Sequence, residues 1–493
     1  MALVLGLDIG TTSTIGILAD TAGTVRALAS RPVSLSSPHP GWAEEDPAEW
    51  WANVCALVPE LLAEAEVTAG EIAGIGVGGM LPAILLLDAE GRILRPSIQQ
   101  SDGRSGEEVA ALAAEVDASA FLGRTGNGIN QQLAAPRLRW IRLHEPDVFA
   151  RTATVMGSYD WINFRLTGRR AVEQNWALEA GLTDLATHRI ADDLVALTGL
   201  PRQAVPERIE STALHGRVTA EAARATSLAE GTPVIGGAAD FIASALVAGV
   251  TAPGDVLLKF GGSVDILTAS TTARPDARLF LDYHLIPGVF VPNGCMSTGG
   301  SALNWAAATF AAGIEPVGGS RHRALDLLAA AVPAGAEGLT VLPYFLGEKT
   351  PLHDPAARGV LEGLTLSHGL GHIWRALLES YAFAIRHHLE VMAGIGHAPR
   401  RFLASDGGSR SSVWMQIVAD VIGEPVEVPG GHPGTCLGAA WTAAMGIGAA
   451  SDWADVARFV TRGASYRPDP ATREAYEAGY RRFRDLYPRI YRR

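Results

Sequence analysis

Four short segments combine carboxylates, hydroxyls and glycines at spacings that suit phosphoryl chemistry. In Asp8-Ile9-Gly10-Thr11-Thr12-Ser13 a carboxylate stands beside a turn that offers backbone N–H groups and three hydroxyls. Such a turn makes an anion-binding concavity for phosphate oxygens. Asp8 would then face Mg2+, which takes oxygen ligands and shares contacts with phosphates. A polar hairpin tip with Asp8 as turn former accounts for the same residues. Gly261-Gly262-Ser263 is a second, sparser turn, and two such turns could clamp one polyphosphate from both sides. Asp240 ends Gly236-Gly237-Ala238-Ala239-Asp240 just before an apolar run. It is either an N-cap or a general base for an alcohol attacking a phosphoryl group. A helix N-terminus stabilises the ionised form, so it would leave Asp240 a ready acceptor but a weak base. In Asp406-Gly407-Gly408-Ser409-Arg410-Ser411-Ser412 the glycines would let backbone lie against a planar ring or a sugar, with N–H donors from the next helix. A plain strand-to-helix connection serves equally well.

These segments need elements to hold them. Leu3 to Asp8 and Thr14 to Leu18 predict a hairpin around the first turn, and Thr24 to Val33 extends it to a meander. Pro47 to Ala65 has helical spacing, with Asp46 as N-cap and Pro47 at the first position. Ile72 to Val77 predicts a buried strand, and Ile84 to Asp88 with Arg92 to Leu94 predicts another hairpin. Helices are expected near Ala134 to Leu143, Phe241 to Ala248 and Val413 to Ile422, with a strand at Pro233 to Gly237. From about residue 250 the pattern restarts: Asp255 to Phe260, the glycine turn, then Val264 to Ala269. Two strand, turn, strand units opening two halves suggest two related α/β domains with a cleft between them.

Composition excludes several functions. The net charge is −12 and the charges are dispersed, which argues against a nucleic-acid partner. The uncharged stretch from Thr435 to Ala450 is broken by glycines and falls short of the ~20 apolar residues of a membrane span, so a buried helix is expected. Three cysteines, Cys55, Cys295 and Cys436, fit no disulfide or zinc pattern and point to a reducing, cytoplasmic compartment. The N-terminus lacks a basic region ahead of an apolar core, so no signal peptide is expected. Trp50-Trp51 is expected in the core, and His387-His388, His397 and His432 as satisfied or surface residues. The 55 glycines exceed the average of about 7%. Gly10, Gly261, Gly262, Gly300, Gly407 and Gly408 are expected where backbone meets a ligand.

In this order the segments resemble the FGGY family of carbohydrate kinases over essentially the whole chain. The most specific match is Gly359-Val360-Leu361-Glu362-Gly363-Leu364, with His372-Ile373 and Ala376-Leu377-Leu378-Glu379 following at the family separation. Pro136-Arg137-Leu138-Arg139-Trp140-Ile141 echoes the other signature, with arginine where lysine is usual. Gly41-Trp42-Ala43-Glu44-Glu45-Asp46-Pro47, Phe164-Arg165-Leu166-Thr167-Gly168 and Gly347-Glu348-Lys349-Thr350-Pro351 also look like family segments.

The resemblance implies two ribonuclease-H-like domains of the actin, hexokinase and Hsp70 type flanking a catalytic cleft, expected at residues 1–248 and 249–493. It implies ATP and Mg2+, with Asp240 as catalytic base and Asp8 as the carboxylate near the metal. Thr11, Thr12 and Ser13 match one phosphate turn, and Gly261, Gly262 and Ser263 the other, where Gly262 replaces the usual threonine. Gly300 and Asn304 match nucleotide positions, and Gly407, Gly408 and Ser411 the adenosine loop. Met80, Leu81, Asp102, Gln132, Asp240 and Phe241 fall at sugar positions. Leu81 and Pro82 replace the arginine and glutamate of glycerol kinases. Leu81 and Phe241 also replace the histidine and asparagine usual in the D-xylulose branch, and the region around Asp240 looks more like the L-xylulose branch. Overall similarity lies with xylulose-type kinases, so a ketopentose such as xylulose is the expected substrate, and a homodimer is compatible with the family. The alternatives are a kinase of another linear polyol or carbonyl compound, such as a C4 polyol, and a non-enzymatic ATP-driven binding protein of the same superfold.

Overall fold

A computed structural model describes residues 2–431 and 433–491, and structural counts refer to these. His432, Arg492 and Arg493, the last two expected on a solvated basic end, lie outside the described residues. The N-terminal meander forms as expected: β1 (Leu3–Ile9), β2 (Ser13–Asp20) and β3 (Val25–Pro32) pair antiparallel in order. Next comes α1 (Pro47–Glu64), where the Asp46 side chain accepts from the Ala48 N–H and Pro47 opens the helix. Trp50 is fully buried, with its indole N–H on Glu45 at 2.8 Å, as a core residue should be. β4 (Ile72–Gly79) then joins β1 in parallel.

The hairpin expected from Ile84 to Leu94 forms as a short one, an antiparallel bridge between Leu87 and Ile93 with Asp88 N–H donating to the Arg92 carbonyl and Leu94 N–H to that of Leu86, both at 3.0 Å. The Asp88 carboxylate closes the turn by accepting from the Arg92 N–H and its guanidinium. The apolar β5 (Leu85–Leu87) also pairs with the distant β6 (Thr154–Met156). Three more strands, β7 (Leu214–Arg217), β8 (Pro233–Ile235) and β9 (Ala238–Ala239), complete a sheet ordered β7-β8-β4-β1-β2-β3, with β9 beside the end of β4.

The second sheet uses β10 (Asp255–Phe260), β11 (Val264–Thr268), β12 (Phe280–Tyr283), β13 (Phe290–Cys295), β14 (Arg401–Ser405), β15 (Val426–Val428) and β16 (Ala464–Tyr466). Its order is β12-β13-β11-β10-β14-β15-β16. Both sheets therefore centre on a hairpin (β1-β2, β10-β11), with a third antiparallel strand outside its second arm and a parallel strand outside its first. The shared topology bears out the expected two-domain α/β class.

The helices that matter to the cleft are α2 (Ala134–His144), α3 (Gln174–Glu179), α4 (Asp240–Ala248), α5 (Gly300–Phe310), α6 (Leu370–Gly394), α7 (Ser412–Ile422) and α8 (Thr435–Gly446). α8 is buried, and it lies on β1 and β4, where Gly6 and Gly76 are in register. A Cβ at Gly6 would sit 2.0 Å from the Cys436 carbonyl oxygen, and one at Gly76 2.0 Å from that of Ala439. The two glycines thus make a flat seat for the helix. On its other side Gly438 meets α4, where a Cβ would stand 2.5 Å from the Ala243 carbonyl oxygen. Residues of α8 share one buried cluster with β1 and β4, so a cut at residue 248 separates the two sheets but leaves α8 with the first.

A second link joins the halves at the edge strand β12. Asn127 pairs with both backbone groups of Leu281, and Asn175 with both of Tyr283, at 2.8–3.0 Å. The two side-chain amides occupy the edge in place of a neighbouring strand, which also keeps that edge from pairing with other chains.

Candidate active site

The first turn and both key carboxylates gather at the ends of the parallel strands of the first sheet. Asp8 is level with Gly78 of β4, and Gly78 is level with Ala238 of β9, which runs directly into Asp240. Asp8 and Asp240 therefore stand on either side of a strand end built from Gly78 and Gly79, where no side chain separates them. Gly10 donates to the Ser13 carbonyl at 3.1 Å and closes the turn, leaving Thr12 exposed and Thr11 and Ser13 half-buried.

The Asp8 oxygen Oδ1 is buried and has no hydrogen-bond partner. Burial, with the Asp240 charge added, pushes the Asp8 carboxyl up to about 8, although Lys259 opposes this. An orphaned buried carboxylate oxygen suits a divalent cation. Among the described residues no cluster of three or more metal-ligating side chains exists, so most oxygens around a cation here must come from phosphates or water.

Asp240 is half-buried, and its Oδ1 accepts from the Phe241 N–H at 2.6 Å. Its carbonyl oxygen accepts from the Thr435 hydroxyl of α8 at 3.1 Å. Burial pushes the carboxyl above its ordinary value, against Lys259 and the Phe241 N–H. The expectation that the helix terminus leaves a weak base is thus corrected: desolvation outweighs the helix end. Asp240 is also the first helical residue and not the N-cap, a position taken by Ala239.

The second turn is locked by the start of α5. Gly300 N–H donates to the Gly261 carbonyl at 2.9 Å, and both the N–H and the hydroxyl of Ser301 donate to that of Gly262, at 3.1 and 2.7 Å. A Cβ at Gly300 would stand 2.7 Å from the Gly261 oxygen, so only glycine allows this approach. Asn304 lies one turn further on the same face and is exposed. In the third segment Gly407–Arg410 forms a short 3-10 turn, and the Ser411 hydroxyl caps α7 by accepting from Trp414 N–H at 3.1 Å. Gly407 is open, whereas a Cβ at Gly408 would meet the Trp414 ring at 2.6 Å and Phe260 at 2.8 Å. Gly408 thus packs closely on Trp414 and Phe260 beneath the loop.

Met80 and Leu81 are buried just past β4, and Phe241 and Gln132 are half-buried. Asp102 is 1% exposed and fully engaged, accepting from Ala43 N–H, from Arg104 N–H and twice from the Arg104 guanidinium. The Arg104 side chain and these N–H groups hold its carboxyl below the ordinary range despite burial. Arg137 of α2, wholly buried, donates to the carbonyls of Pro82, Gln100 and Gln131 at 2.6, 3.1 and 3.0 Å. One guanidinium thereby ties together the three loops that carry Leu81, Asp102 and Gln132.

Sequence reasoning missed two groups. Glu179 at the end of α3 stands in hydrogen-bonding contact with Asp282 of β12, and burial pushes both carboxyls up, Glu179 to about 7. Lys259, in β10, faces Asp406, Asp240, Asp265 and Asp8. Its signal was present as a charge inside the apolar run Val256-Leu257-Leu258-Lys259-Phe260, directly before the glycine turn. Asp406, whose Oδ2 lies 4.0 Å from the Lys259 ammonium, has φ 70° and ψ −172°, a backbone region that favours glycine.

Residues 3–247 match the N-terminal domain, and residues 260–447 the C-terminal domain, of the FGGY family of carbohydrate kinases. The chain belongs to this family, and is accordingly an enzyme that uses ATP to phosphorylate a sugar hydroxyl. It is similar to a solved structure of the xylulose kinase from Rhodospirillum rubrum, with 57% identity over 99% of both chains and a TM-score of 0.96. It is 30% identical to the xylulose kinase of Escherichia coli over 99% of each chain. It is 31% identical to a glycerol kinase of Citrifermentans bemidjiense, over 93% of this chain and 94% of the relative.

Proposed function

We propose that this kinase transfers the γ-phosphoryl group of ATP to a hydroxyl of a ketopentose, with xylulose as the first candidate. The observation that carries the reading is the 57% identity, over essentially the full length of both chains, to the xylulose kinase from Rhodospirillum rubrum. Leu81 and Pro82 speak against glycerol, because they stand where glycerol kinases carry the arginine and glutamate that suit that substrate.

In this reading Asp240 accepts the proton of the attacking hydroxyl while the sugar oxygen bonds to the γ-phosphorus and the bond to ADP breaks. The raised affinity of Asp240 for a proton makes it a better base than an exposed aspartate. The turns around Thr11 to Ser13 and Gly261 to Ser263 supply N–H and hydroxyl donors to the phosphates, and Gly300 and Asn304 with the loop at Gly407 and Ser411 receive the nucleoside. Asp8, through its unpartnered oxygen, would hold Mg2+, which neutralises phosphate charge when bound. Met80, Leu81, Gln132 and Phe241 shape the sugar pocket, and Asp102, already saturated, acts through its grip on Ala43 and Arg104. The same reading includes a cytoplasmic compartment and a homodimer, the latter to be checked by light scattering.

The apolar Leu81 and Phe241 and the saturated Asp102 favour, as a second reading, a linear substrate with fewer polar groups to satisfy, such as a C4 polyol. A coupled ADP-release assay over D- and L-xylulose, D-ribulose, erythritol and glycerol separates the two. Highest kcat/KM on a ketopentose is expected; highest kcat/KM on the C4 polyol would replace the first reading with the second.

A further inference from the structure

Lys259 carries a half-buried ammonium group whose nearest carboxylate oxygen among the described residues, Asp406 Oδ2, is 4.0 Å away. Its strand β10 leads straight into the Gly261–Ser263 turn, and it lies in register with Asp265 on β11 and Ser405 on β14. Registered residues of neighbouring strands project to one face, so the lysine shares its face with Asp265 and with Ser405, whose buried hydroxyl also lacks a partner. Asp406 stands over the turn, its Oδ2 3.4 Å from where a Cβ on Gly261 would be. It is held there by a backbone conformation that costs energy for a residue with a Cβ. Across the cleft the lysine faces Asp8 and Asp240.

Ammonium-carboxylate hydrogen bonds run at ~2.7–2.9 Å, and the 4.0 Å to Asp406 is too long for one. Among the described residues no hydrogen bond reaches the three donors of this amine. A lysine serving only as counter-charge to a single aspartate would close that distance. The neighbouring turn also differs from its counterpart: Thr11, Thr12 and Ser13 bring three hydroxyls to the first turn, whereas Gly261-Gly262-Ser263 brings one. The second turn thus lacks side-chain donors where a polyphosphate would need them, and the lysine stands next to the gap. Four aspartates would repel that phosphate strongly without a local cation.

We propose that Lys259 is a catalytic residue whose ammonium contacts the γ-phosphoryl group of ATP during transfer, standing between the Gly261–Ser263 turn and the base Asp240. The inference rests on the nucleotide lying between the two turns, as in the function proposed above, and is independent of which sugar is phosphorylated. A cation there would stabilise the charge spread over the equatorial oxygens in the transition state. It would also draw the phosphoryl group toward the sugar side of the cleft.

The test compares the wild type with Lys259→Met and Lys259→Arg. Turnover is measured with the best sugar, and binding of ADP and of the non-hydrolysable analogue AMP-PNP is measured separately by calorimetry with MgCl2 present. Lys259→Met should lower kcat at least a hundredfold and weaken AMP-PNP binding tenfold or more, while ADP, which has no γ-phosphate, binds within threefold of the wild type. Lys259→Arg should recover part of the turnover, because it keeps the charge. Three results would overturn the proposal: kcat of Lys259→Met within threefold of the wild type, equal loss of ADP and AMP-PNP binding, or full recovery of Lys259→Met turnover at pH 9. The last would mean that the lysine acts only by keeping Asp240 ionised. If the wild type phosphorylates none of the sugars, the substrate reading fails, yet the difference between ADP and AMP-PNP still decides the role of Lys259.

Discussion

Asp240 and Asp102 are both carboxylates expected at the sugar, and their surroundings give them opposite characters. Asp240 has one short N–H contact at its carboxylate and is pushed up by burial. Asp102 has four donors and is held down by them. Burial thus raises the affinity of the first for a proton, whereas the donors around the second lower it. Asp240→Asn keeps the size and the acceptor for the Phe241 N–H but removes the base. It should lower kcat by at least about a hundredfold, the usual share of a positioned general base, with KM for ATP changed little in the coupled assay. Turnover at the wild-type level would remove Asp240 from the catalytic role. Asp240 was legible in the sequence because an acid at a strand-to-helix junction is conspicuous. The saturation of Asp102 was not, since its donors come from Ala43 and Arg104 and depend on how two loops meet.

At the level of elements, strands and helices near the turns follow from local patterns: Asp46-Pro47 opens α1, and the runs on either side of Gly10 and of Gly261-Gly262 become hairpins. The seat of α8 did not follow from any local pattern. Gly6 and Gly76 are far apart in sequence, and their common function appears only when β1 and β4 come into register beneath the helix. The glycine excess accordingly has at least two uses, close backbone approach at the turn where Gly300 meets Gly261 and close approach of a helix to a sheet. Gly76→Ala would drive a methyl group to within 2.0 Å of the Ala439 carbonyl oxygen, with no flexible side chain there to yield. α8 would have to lift, and with it Thr435, which supports the carbonyl of Asp240. A loss of about 3 kcal/mol in urea unfolding is expected, at the upper end for overpacking, together with a fall in kcat. An unchanged midpoint and turnover would show that the helix is not seated as described.

Across the whole molecule, burial of titratable groups sets the response to acid. His215, His284 and His388 are each held down to about 4 by burial. His388 of α6 has its ring between the Ala384 carbonyl, 2.8 Å from Nδ1, and the Thr350 hydroxyl, 2.9 Å from Nε2, so a neutral ring satisfies both. An unfolded histidine titrates near 6.5. Between about pH 6.5 and 4 the unfolded chain therefore binds more protons than the folded one, and stability falls as the pH is lowered through that window. One such histidine accounts for about 2 kcal/mol between pH 7 and pH 5. His388→Gln should reduce the drop in urea-unfolding free energy across this interval by about that amount, even if its stability at pH 7 is lower. An identical drop in the variant would mean that the histidine is protonated in the folded state.

The amino-acid sequence sufficed for whatever depends on near neighbours in the chain: the Gly and hydroxyl turns, the hairpins that hold them, the caps, the acid at the head of α4, and the ordered motifs that mark the family. It also carried the duplication, because each half repeats the same local order of strand, turn and strand. The tertiary structure was needed wherever residues from distant segments share one environment. It brought Asp8 and Asp240 to the two sides of Gly78-Gly79, set Lys259 among four aspartates, bound the loops of Leu81, Asp102 and Gln132 through Arg137, and packed Gly408 onto Trp414 and Phe260. The physical reason is that propensities and turn chemistry act over a few residues, whereas desolvation and Coulomb interactions depend on distance in space, which the chain order does not contain.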